Sequence, residues 1–139
     1  MEGAADDVVR IGDLELHFRL EEPGATVFVF VVPPNARVPA PHYHAAADEL
    51  IYGLSGRLTV TLAGRKTEIG PGQAIFIPRG TVHHHENTDT ETARVLTSIT
   101  PGTITRTYFE ELAEVVNAPG RPNAETMKTI MARHGLIGA

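Results

Sequence analysis

The sequence predicts an all-β sandwich or barrel closed by a short helical tail. Three observations carry that expectation. Short apolar segments alternate with polar residues at period 2, as in Leu14, Leu16, Phe18 and Leu20 against Glu15, His17 and Arg19. Turn signals follow one another at close spacing through the first hundred residues. From about Thr107 the apolar period changes to that of an amphipathic helix.

In chain order, residues 14–20 form the first strand, Glu22-Pro23-Gly24 turns the chain, and Ala25 to Val32 is an apolar, β-branched strand. Pro33, Pro34, Pro39 and Pro41 make the next stretch an extended loop that pairs poorly in a sheet. Further strands are expected at 49–54, 57–62, 66–69, 73–77, 82–86 and 93–100. The breaks between them are Ser55-Gly56, Ala63-Gly64, Gly70-Pro71-Gly72, Arg79-Gly80 and Pro101-Gly102. Tyr108 to Asn117 then places Phe109, Leu112, Val115 and Val116 on one helical face. Pro119-Gly120 ends that helix, Asn123 caps a second one carrying Met127, Ile130 and Met131, and Gly135 stops it. The reading is one domain, a barrel over 1–106 with a helical extension over 107–139.

Composition narrows the function. With 139 residues there is material for one substantial core. A net charge of −5 argues against nucleic acid as a partner, because a phosphate-binding surface needs a basic face. No apolar run approaches membrane-spanning length, and the acidic start MEGAADDVVR is not a secretory signal, so the expected location is cytoplasmic. The chain has no cysteine, so any metal must be held by histidine and carboxylate.

His42-Tyr43-His44 puts two imidazoles on the same face of an extended segment. Glu49 lies at an odd offset from them, and the turn that Ala45 to Asp48 can make resets its phase, so that Glu49, Ile51 and Gly53 share the inward face of the next strand. His83 opens a later strand after the Pro78-Arg79-Gly80 turn. Three neutral imidazoles and one carboxylate suit iron, manganese, nickel, copper or zinc. Each residue alone carries little weight, since a lone strand histidine is far more often a packed or surface residue.

Taken together, His42, His44, Glu49 and Gly56 fit the pattern HxHx4Ex6G, and Gly72, Pro78, Gly80, His83 and Asn87 fit Gx5PxGx2Hx3N. On these nine positions the chain resembles small single-domain cupins, and its overall pattern is similar to the group described as quercetin-dioxygenase-like. The resemblance implies a double-stranded β-helix (jelly-roll) barrel. It also implies one divalent transition metal per chain, iron foremost, on His42, His44, Glu49 and His83, and commonly a homodimer. One departure is visible. The glycine that usually precedes the first histidine by six residues is Ala36 here, which puts the loop geometry in question.

Among the neighbours, His85 shares the phase of His83 and is either a substrate-pocket acid/base or a hydrogen-bonded packing residue. His84 points the other way, to solvent or an interface, and His17 and His134 read as surface residues. Tyr43 and Tyr52 alternate away from the ligand faces, towards core packing or a subunit contact. Phe28, Phe30, Ile51, Phe76 and Ile77 are read as core before pocket wall. Gln73 and Arg94 are weaker candidates for polar pocket groups, and Asn87 for bonding a turn. The tail is read as a brace or inter-subunit contact before a lid. The expected function is a dioxygenase on a small oxygen-rich enol, diketone or phenol, with Glu49 as ligand and base. The alternatives are a non-redox isomerase, cyclase or lyase using His85, or a cup that binds a small molecule without turnover.

Overall fold

The computed structural model describes residues 7–139. Alternating segments become β1 (Val8–Ile11), β2 (Leu14–Glu22), β3 (Ala25–Val32), β4 (His42–His44), β5 (Asp48–Ser55) and β6 (Leu58–Leu62). They are followed by β7 (Arg65–Ile69), β8 (Ala74–Ile77), β9 (His83–Glu86) and β10 (Ala93–Thr100). The tail forms α1 (Arg106–Asn117), α2 (Ala124–Arg133) and a last strand, β11 (Leu136–Gly138). One sheet runs β1-β2-β3-β10-β5-β8 and the other β11-β4-β9-β6-β7, with every pairing antiparallel. Among the described residues no helix is long and apolar enough to cross a membrane.

The two sheets bury their inward phases against each other. Leu16 and Phe18, Phe28 and Phe30, Ile51, Leu58 and Val60, and Val95 and Ile99 supply the core. The outward phase of β5 and β8 is different. Leu50, Tyr52, Leu54 and Phe76 are exposed, so neither Phe76, at 54% exposure, nor Tyr52 is a core residue. The register gives the reason. Ile77 stands opposite the inward Glu49, so Phe76, opposite Leu50, must face out.

Three other features differ from expectation. β1 and β11 are strands of four and three residues, too short for alternation to show. His42–His44, at the end of the proline-rich loop, is a true strand. The loop before it turns without a glycine because Asn35 takes the left-handed conformation at φ 69°, which asparagine tolerates, and Ala36 does not need to. Asn35 N and Asn87 N then donate to the carbonyls of Asn87 and Ala36, both at 2.9 Å, tying the loop to the end of β9. Asn87 also holds the following turn, its Nδ2 donating to Val32 O and Glu91 O and its Oδ1 accepting from Asp89 N. Gly56 sits at φ +68° against Thr92 O, where a Cβ would collide, so no other residue fits its turn.

The helices close one mouth of the barrel. α1 begins at Arg106, whose backbone N–H is taken by the Glu21 carboxylate at 3.0 Å in place of a side-chain cap from Thr105. Its far end is latched by Asn117, which accepts from Gly12 N at 2.7 Å and donates to Arg10 O at 2.8 Å. Tyr108 and Leu112 are buried against the barrel. α2 is capped as the sequence indicates, Asn123 Oδ1 accepting from Glu125 N and Thr126 N.

Candidate metal centre

Pro39 and Pro41 force the chain into an extended path, and β4 continues it, so His42 and His44 present their rings side by side with centroids 5.2 Å apart. β4 lies next to β9 with His42 in register with His83, bringing the ring of His83 to 4.7 Å from His42 and 4.8 Å from His44. Glu49 approaches from the opposite sheet. The turn at 45–47 carries the chain from one sheet to the other, which resolves the odd offset, and Glu49, Ile51 and Gly53 all face inward. Its Oε1 is 3.6 Å from Nε2 of both His44 and His83, and its Oε2 is 3.3 Å from His85 Nε2.

The ligand atoms of His42, His44 and His83 lie within 4.8 Å of one another, as do those of Glu49, His83 and His85. The five residues singled out in the sequence therefore form one cluster. Backbone carbonyls orient two of the rings. His42 Nδ1 donates to Ala40 O and His83 Nδ1 to Thr81 O, both at 3.0 Å, which leaves each Nε2 as a lone pair facing inward. His83 Nε2 is buried with no hydrogen-bond partner, an orphan that a cation would satisfy.

Electrostatics favour ligation. Burial, reinforced by the neighbouring His83, pushes His42 down to about 3. Burial likewise lowers His44 to about 4 against the pull of Glu49. Both are thus neutral near pH 7, the form a metal needs. Burial alone would raise Glu49, but the neighbouring His83 and His85 hold it well below the usual carboxylate range. His83 moves the other way. Its desolvation is outweighed by Glu49, which raises it. The donor set, three imidazoles and one ionised carboxylate in a buried pocket, fits a divalent transition metal.

The cluster forms one wall of a largely apolar cavity whose other walls include Phe28, Phe30, Val38 and, from the tail, Tyr108, Phe109 and Leu112. Its free volume is about 70 Å³, room for a few waters or a small ligand group. The brace is therefore also a cavity wall. Burial pushes the Tyr108 phenol up, keeping it protonated. His85 is inward, buried and part of the wall. His84 is half-buried with its ring nitrogen 3.2 Å from Val38 O. His17 and His134 are half-buried and paired with Glu15 and Glu111. Gln73 and Arg94 are exposed and do not line the cavity. Sequence reasoning missed Thr97, which lines it. The available signal was a hydroxyl residue on the inward phase between Val95 and Ile99.

The family model described as Cupin domain matches residues 28–99, just over half of the chain. A tetracenomycin polyketide synthase protein, TcmJ, of Streptomyces glaucescens is 35% identical over 60 residues, 43% of this chain and 40% of that protein. The polyketide synthase CurC of Streptomyces cyaneus is 30% identical over 95 residues, 66% of this chain and 61% of that protein. The chain thus spans 40% and 61% of the lengths of these two relatives. Among solved structures, a predicted oxalate decarboxylase of Thermotoga maritima superposes with a TM-score of 0.66 at 23% identity, covering 73% of this chain and 99% of that one. KdgF from Halomonas sp. gives 0.62 at 22% identity, covering 68% and 86%. At such identities these structures speak to the fold alone.

Proposed function

The chain belongs to the cupin family, and we propose that it is an enzyme holding one divalent metal on His42, His44, Glu49 and His83 and acting as a dioxygenase on a small, oxygen-rich molecule. The observation that carries this reading is the orphaned, buried Nε2 of His83 beside two neutral imidazoles and an ionised carboxylate that line an apolar cavity. A bound ion supplies Lewis acidity and, if it is iron, manganese, nickel or copper, electron transfer to dioxygen. The protein's own part is to orient the substrate and handle its proton. Glu49 Oε2 lies 3.3 Å from His85 Nε2, so a proton taken from an enol or phenol passes between these two groups without leaving the cavity. The apolar walls offer that step few competing hydrogen-bond partners. The polyketide-synthase names of the two relatives support an enolisable carbonyl compound or a phenol as substrate.

The Glu49–His85 pair also favours a second reading, a non-redox isomerase, cyclase or lyase. Oxygen-electrode assays over a panel of flavonols, diketones and keto acids separate the two. For the dioxygenase, iron-, manganese- or nickel-loaded protein consumes dioxygen and zinc-loaded protein does not. Turnover by the zinc form under nitrogen, slowed ~10²–10⁴-fold by His85→Ala, contradicts the dioxygenase and supports the second reading. Tight binding without turnover under every condition contradicts both. We further read the enzyme as a cytoplasmic homodimer. The exposed Leu50, Tyr52, Leu54 and Phe76 on the outer face of β5 and β8 support the dimer, which light scattering tests.

A further inference from the structure

We propose that Thr97 is a second anchor for the substrate, its hydroxyl receiving an oxygen at the far end of a small, single-ring molecule whose other oxygens sit at the histidine–glutamate cluster. This rests on the cluster being the active site.

Thr97 lies on the inward phase of β10, is 2% exposed and lines the cavity. Its Oγ1 has no hydrogen-bond partner among the described residues. An unpaired buried hydroxyl is destabilising, and valine would fill the same space with equal strand preference and no such cost. Among the described residues the other buried side chains with an unpartnered atom are Thr26, His83 and His85. The two histidines belong to the cluster, and Thr26 does not line the cavity. Thr97 is thus a cavity-lining residue with an orphaned hydroxyl that the cluster does not explain.

Its position suits a ligand spanning from the cluster. On β10, Ile99 stands opposite Glu49 and Thr97 opposite Ile51, so Thr97 is the diagonal neighbour of Glu49, with backbones about 7–8 Å apart. On its other side Thr97 is in register with Phe28. Phe28 packs edge-on to Phe30 with centroids 6.1 Å apart, and Phe30 to the His85 ring at 6.3 Å. An aromatic wall therefore runs from Thr97 to the cluster. A flat group lies along it, and the free volume of about 70 Å³ admits no more than part of one ring. The substrate class is a monocyclic phenol or enol with a chelating oxygen pair at one end and a hydroxyl or carbonyl at the other.

The test uses zinc-loaded protein under nitrogen and two probes of nearly equal shape, 4-ethylcatechol and 4-(hydroxymethyl)catechol, which differ by a terminal methyl against a hydroxyl. Calorimetric titration should show wild type preferring the hydroxymethyl compound by ~2–12-fold, the worth of one hydrogen bond. Thr97→Val should lose that preference while binding 4-ethylcatechol at least as tightly, keeping its zinc, and melting no lower than wild type. Thr97→Ser should retain the preference. Equal binding of the two probes by wild type, or a preference surviving in Thr97→Val, would overturn the anchor alone. A clearly lower melting temperature for Thr97→Val would make the hydroxyl structural and overturn it too. Failure of wild type to bind either catechol would overturn the active-site reading and the anchor with it.

Discussion

β9 and β4 both carry histidines at alternate positions, yet they are held in place by different parts of the chain. β9 is paired along its length with β6, from Thr59↔Glu86 to Leu62↔His83, inside the barrel. β4 shares one register pair with β9, His42↔His83, and three with β11: Leu136↔His44, Ile137↔Tyr43 and Gly138↔His42. Two more backbone bonds, Ala45 N to Gly135 O at 2.8 Å and Ala139 N to Pro41 O at 3.2 Å, complete the link. The barrel thus sets His83 and His85, whereas the far end of the chain sets the strand of His42 and His44. A tail that looks like an appendage in the sequence is half of the support for the cluster.

Cutting the chain after Gly102 should perturb both strands most. That removes α1, α2 and β11 and uncovers the barrel surface under Tyr108, Leu112, Ile130, Met131 and Leu136, all buried. Each is worth roughly 1.5–3 kcal/mol when fully buried, so the truncated protein should aggregate or melt far below wild type. An unchanged melting temperature would mean that the tail contributes nothing to the fold.

A gentler cut, after Gly135, removes β11 and leaves both helices. The barrel should stay folded, with β9 undisturbed, while β4 loses its outer partner. Because supports of ligands typically matter ~10–100-fold, zinc affinity should fall by about that factor. Competition against a chromophoric chelator measures it, and an affinity equal to wild type would show that β9 and the proline-rich loop suffice to hold β4.

The smallest effect is the acid response of metal-free protein. His42 and His44 are held down by burial to about 3 and about 4, against 6.5 for a free imidazole. Between those values the unfolded chain binds protons that the folded one refuses. The stability from these two residues is therefore complete above about pH 6.5 and is lost as pH falls towards 4 and then 3. His83, raised by Glu49 against its own desolvation, contributes in the opposite sense, with its share complete below 6.5 and lost as pH rises through its folded value. Glu49 and His84 are lowered too, so the lowered groups outnumber the one raised histidine and predict a falling melting temperature from pH 7 to pH 4. The chain cut after Gly135 should respond less steeply, because a loosened β4 admits water to both rings. Identical slopes would mean that β11 does not shield them.

Much of the cluster was legible in the sequence because its geometry is local. Alternation puts His42 with His44 and His83 with His85, and the turn before Asp48 brings Glu49 inward. What stayed hidden depends on distant pairing. β11 is three residues long and is a strand only because β4 lies beside it. Phe76 follows an alternating pattern with two faces, and only its register with Leu50 decides that it faces out. The missing glycine at Ala36 raised doubt about a loop that Asn35 turns instead. Tyr108 and Phe109 read as one side of an amphipathic helix, and nothing in their spacing says that this side walls a cavity.

Both strands should hold a single metal between them, and elemental analysis of the purified protein is the direct test. Wild type should carry about one divalent transition metal per chain, and His42→Ala on β4 and His83→Ala on β9 should each lose most of it, since three remaining ligands leave the shell open. Equal metal content in wild type and both variants, or none in any, would contradict the account.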